Sequence, residues 1–106
     1  MTTETDTPVL DLLSKMTADS IEASTLDETT LMLVRIAALV AMDAPPVSYS
    51  MNLGVASEIG ITDEQVRGVL TAVAPIVGTA RVASATTNIV RALAIAIETA
   101  ELDEDE

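Results

Sequence analysis

Tyr49 is the only aromatic residue in a chain of 106; there is no Phe and no Trp. Any core must therefore come from Leu, Ile, Val, Met and many Ala, none of which buries the roughly 150–250 Å² that an aromatic side chain contributes. Hydrophobic residues make up 49% of the chain, enough for a globular domain and too many for a disordered one. At this length one core is expected, and it gathers little apolar area per residue. Small cores of this kind commonly gain further burial by association, so a homo-oligomer is expected.

The apolar residues recur at helical spacing throughout, and no segment shows the period-2 alternation of a strand. Pro8 suits a first helical turn, with Val9, Leu10, Leu12, Leu13 and Met16 as the apolar face of an opening helix that residues 18 to 23 either continue or leave. Thr25-Leu-Asp-Glu28 fits a capping box for a second helix, apolar on nearly every side from Leu31 to Met42 and ending near Asp43. Pro45 and Pro46 stop that helix and open a third, which runs to Ile59 and ends at Gly60. Thr62-Asp-Glu-Gln65 is a second capping box, and Pro75 predicts a kink or an early end of the fourth helix near Ala74. A fifth helix is expected from Thr79 to Leu102 after Gly78. The fold class is all-α, a single-domain antiparallel bundle of about five helices: residues 1–7 a flexible N-terminus, 8–100 the helical domain, 101–106 an acidic disordered tail.

The net charge is −12, but seven of the seventeen acids lie in residues 1–6 and 101–106, which contain no base. Lys15, Arg35, Arg67, Arg81 and Arg91 form no cluster in the sequence, so nucleic-acid binding is not expected. With no Cys there are no disulfides and no thiol chemistry, and with no His the commonest metal ligand and acid–base group is missing. No carboxylates stand at metal-ligand spacing, so neither a metal nor a cofactor is expected. The acidic start lacks a secretory signal and the longest apolar run falls short of the ~20 residues a membrane span needs, which predicts a cytoplasmic protein without a membrane partner.

The order of a buried helix opened by Leu26-Asp27, a break, a helix ending in Gly60-Ile-Thr62, then DEQVRGVLTAV and VGTARVASA resembles the carboxymuconolactone decarboxylase and alkyl hydroperoxidase D superfamily over roughly residues 25 to 95. The resemblance implies a small helical subunit assembled into trimers or hexamers. It also implies a redox site: a Cys-x-x-Cys pair at a helix start, a His beyond it and a Glu on the preceding helix. Those positions fall here on Pro45, Ser48, Asn52 and Leu33, or Met32 in place of Leu33 if the loop differs in length. All are vacated, and without a thiol the thiol route to peroxide reduction is closed.

The residues left in this place are Ser48, Tyr49, Ser50 and Asn52. Two readings stand: a pocket at a helix N-terminus that orients a small carboxylate or carbonyl ligand, or local backbone satisfaction by Ser48 and Asn52 with the Tyr49 hydroxyl at the surface. Under the first, Tyr49 and Ser48 are the catalytic candidates, and Arg35, Ser48, Asn52 and Arg81 bind the ligand, with lyase or isomerase chemistry in prospect. Arg35 equally suits a pair with an acid such as Glu58, and Arg81 opposes its own helix dipole and so calls for a specific partner. The second function class is a non-catalytic oligomeric scaffold or partner-binding module that has lost the family site.

Overall fold

The computed structural model describes residues 7–104, with side chains through Leu93. Five helices follow one another, α1 Pro8–Ala23, α2 Glu28–Ala41, α3 Pro46–Glu58, α4 Asp63–Val77 and α5 Thr79–Glu104, and no strand occurs among the described residues. Among the described residues no helix is long and apolar enough to cross a membrane.

Helix boundaries follow local chemistry, in one case not the chemistry expected. Residues 18–23 continue α1 to Ala23. The start of α2 is set by Asp27 and not by a Thr25–Glu28 box: Asp27 Oδ1 accepts from the Thr30 N–H at 2.7 Å. A carboxylate makes a charge-assisted bond at the positive end of a helix, which a hydroxyl does not. The Thr30 backbone bond accordingly holds the Asp27 carboxyl below its ordinary pKa. The second capping box forms as expected, with Gln65 N–H donating to Thr62 Oγ1 at 3.1 Å and Thr62 N–H to Gln65 Oε1 at 2.9 Å.

Two Schellman motifs turn the chain. At the end of α2, Ala44 N–H donates to the Leu39 carbonyl and Asp43 N–H to that of Val40, with Asp43 left-handed at φ 54. At the end of α3, Ile61 N–H donates to Ala56 and Gly60 N–H to Ser57, with Gly60 at φ 88. Between α4 and α5 the single residue Gly78, at φ 89 and ψ 163, occupies a region open essentially to glycine alone.

α3 packs chiefly on α5 and α2 chiefly on α4. One buried cluster gathers Val40, Ala44, Tyr49, Ala85, Ile89 and Ala92; a smaller one joins Leu31, Met32 and Ala56. α1 has no buried residue. α5 runs past the expected Leu102 to Glu104, so helix reaches into the acidic end expected to be a disordered tail; residues 1–6 and 105–106 lie outside the described part.

Of the two outcomes expected at Pro75, a kink or an early end near Ala74, the early end does not occur: α4 continues through Pro75 to Val77. Pro75 lies in the last turn, is exposed, and leaves only the Thr71 carbonyl without its helical donor. Pro75→Ala restores that donor and should stabilise the fold by roughly 1–3 kcal/mol in urea denaturation. A loss of stability would show that the proline ring itself makes a contact.

Candidate functional site

The α2–α3 corner, residues 41–49, is where the sequence concentrates its unusual residues, and α5 fastens it. Arg81 Nη1 donates to the Ala41 carbonyl, Ser84 Oγ donates to Asp43 Oδ1, and Asn88 Nδ2 donates to the Ala44 carbonyl at 3.1 Å and to Ser84 Oγ at 3.4 Å. Positions 81, 84 and 88 share one face of α5, and the neighbouring stripe 85, 89 and 92 is buried in the main cluster. The partner that Arg81 required is thus the carbonyl end of α2, where a cation complements the dipole. Ser84, Asn88 and Asp43 did not emerge from the sequence as a set. The signal was present in the spacing of 81, 84 and 88, but nothing in sequence says which corner that face meets.

Tyr49 lies inside the main cluster with no exposed surface, together with Ile36 and Val40 the largest fully buried side chains. Its hydroxyl is buried and has no hydrogen-bond partner, which corrects the expectation of a hydroxyl at the surface. Burial, and next the Asp43 carboxylate, push its pKa above the usual phenol value.

The other expected site residues are held by nearby backbone. Asn52 Nδ2 donates to the Ser48 carbonyl at 2.9 Å, one turn back, and Ser50 Oγ to the Val47 carbonyl at 2.9 Å. Ser48 is half-buried in the first turn of α3, Pro45 is its exposed N-cap residue, and Leu33 is half-buried on α2. Arg35 does not pair with Glu58; its Nη2 donates to the Thr17 carbonyl of α1 at 3.4 Å. Among the described residues the sole ion pair is Lys15–Asp19, and no cluster of acids is fit to hold a metal. The structure therefore spreads Arg35 and Arg81 to different partners and closes Tyr49 into the core.

A groove lies elsewhere. A space of about 390 Å³ opens between α3, α4 and α5, walled by Leu53, Ala56, Ile61, Val66, Leu70, Ile89, Val90 and Leu93, with Asp63 and Arg67 among its polar lining. That volume is in the range of ligand pockets. None of Arg35, Ser48, Tyr49, Asn52 or Arg81 lines it.

The model of the carboxymuconolactone decarboxylase family matches residues 8–97. The chain belongs to that family. No curated protein and no solved structure matches it. The matched residues begin at the first residue of α1 and end within α5. Within this carboxymuconolactone decarboxylase-family chain, the corner assigned by resemblance to thiol chemistry contains a packed tyrosine and three side chains from α5, two bound to backbone carbonyls and one to the Asp43 carboxylate.

Two measurements check this account of the corner. Tyr49→Phe removes a buried hydroxyl that has no partner and should leave stability unchanged or raise it by about 1 kcal/mol, while Tyr49→Ala should cost about 3–5 kcal/mol through the cavity it leaves. Because the folded-state pKa of Tyr49 is raised, its contribution is complete below the unfolded phenol value near 10 and falls as pH rises above it. That alkaline loss should shrink in Tyr49→Phe. Asp43→Ala should cost about 2 kcal/mol, from the left-handed backbone and the lost Ser84 bond, and Asp43→Gly less, since glycine takes that backbone without strain.

Proposed function

We propose that this carboxymuconolactone decarboxylase-family protein is a non-catalytic, homo-oligomeric structural or partner-binding module. The observation that carries this reading is the complete burial of Tyr49, with Arg81, Ser84 and Asn88 committed to the backbone and side chain of the corner around it. A general acid or base must reach a substrate atom, and a phenol enclosed by aliphatic side chains with its pKa pushed up does neither near neutral pH. The absence of Cys removes the thiol route from this chain outright.

Assembly is supported by the surface. Fifteen large apolar side chains are exposed among the described residues, more than the ten hydrophobic residues that are buried. Scattered exposed apolar residues are ordinary, but here they form stripes at helical spacing, such as Val47, Met51 and Val55 on α3.

The groove favours a second reading, a ligand-binding protein for a small carboxylate or carbonyl compound, because Arg67 stands beside apolar walls. The two readings separate in a thermal-shift series with small aliphatic carboxylates and lactones. The structural reading expects no rise in Tm at millimolar ligand; a rise that disappears in Arg67→Gln and persists in Tyr49→Phe would establish ligand binding in its place. Light scattering on the eluting protein should give a mass of two or more chains, and a monomer at micromolar concentration would refute the assembly.

A further inference from the structure

We propose that α1 is a detachable arm: it opens from the α2–α5 body in a local step of its own, hinged at residues 24–26, while the body stays folded. Every residue of α1, from Pro8 to Ala23, is exposed, and neither buried cluster contains a residue from it. Its sole side-chain bond to the body among the described residues is the long one from Arg35 Nη2 to the Thr17 carbonyl, at 3.4 Å. A lone helix of 16 residues is marginal in water, because the stability of helices in proteins comes chiefly from packing. Segments with few buried contacts open locally, at a small fraction of the free energy of global unfolding.

Nothing within α1 compensates for the missing contacts. Thr7 at its N-cap makes no side-chain cap bond, its hydroxyl reaching only the Asp11 carboxylate at 3.4 Å. Ser24 at its C-cap is extended, at φ −73 and ψ 142, so no left-handed turn fastens that end, and the last turn holds no basic residue. The Lys15–Asp19 pair is exposed on both sides and places the lysine first, the weaker order for an i,i+4 pair. The body, in turn, does not lean on α1. Asp27 Oδ1 caps α2 through Thr30, and Leu26 N–H bonds Ser24 Oγ within the link, so α2 begins by chemistry of its own. Opening carries the apolar stripe Val9, Leu12, Leu13 and Met16 away from the body and releases the Arg35 guanidinium from Thr17.

Lys15, in the middle of α1, is the only lysine of the chain, so a lysine-specific endoprotease has a single bond to cut, between Lys15 and Met16. Cleavage of a transiently opened segment reports the population of its open form. Arg91→Lys adds a second site in the same chain, at an exposed position on α5 beside the buried Ala92, and serves as the reference for opening of the body. Each rate on the native full-length chain is divided by the rate at the same bond in the urea-unfolded chain. The expected result is cleavage after Lys15 at least about tenfold faster than after position 91, with a fragment beginning at Met16 that keeps a cooperative urea transition. A smaller ratio shows that α1 opens only with the rest of the fold and overturns the proposal. A fragment without a transition shows that the body depends on α1 and overturns it as well.

Discussion

The main buried cluster of this fold is arranged around one ring in an aliphatic core. Tyr49 lies among Val40, Ala44, Ala85, Ile89 and Ala92, so it joins α2, α3 and α5, and three of its five neighbours in the cluster are alanines. Small neighbours let the helices approach closely, and the ring supplies the bulk they lack. The chain accepts a buried hydroxyl without a partner to obtain that volume, which measures how scarce large apolar side chains are in this core.

The polar residues next to the ring serve the same purpose. A helix that stops at two prolines exposes its last carbonyls, and a left-handed Asp43 is a strained way to turn the chain. Arg81, Ser84 and Asn88 answer both needs by donating to Ala41, Asp43 and Ala44. Groups that would orient a ligand in an open pocket here hold two helices at a fixed angle. In this carboxymuconolactone decarboxylase-family fold the donors at the corner are present and already engaged within the chain.

Several elements were legible beforehand because their causes are local. Pro8 and Pro46 open helices, Gly60 closes one, and Thr62 with Gln65 caps another, each through bonds within a few residues. Where local causes competed, the reading slipped. Thr25 and Asp27 both suit a cap, and the charged acceptor prevails; Pro75 suits a helix end, yet helix packing carries α4 to Val77. The candidate site was legible only as a list of residue types. Arg81 was recognised as needing a partner, but the partner lies forty positions away and is a backbone carbonyl, which no pattern of side chains reveals.

The sequence by itself determined an all-helical chain of five elements, an aliphatic core and the loss of thiol chemistry, because periodicity, caps, prolines and the absence of Cys act through neighbours in the chain or through composition alone. Only the tertiary structure decided that Tyr49 is a core residue and not a surface hydroxyl, that Arg35 and Arg81 serve backbone carbonyls, and that an open groove between α3, α4 and α5 is lined by none of the expected site residues. The physical reason is that burial and hydrogen-bond partnership are set by which helix faces meet. That choice is made by the packing of all the helices together and by no segment alone.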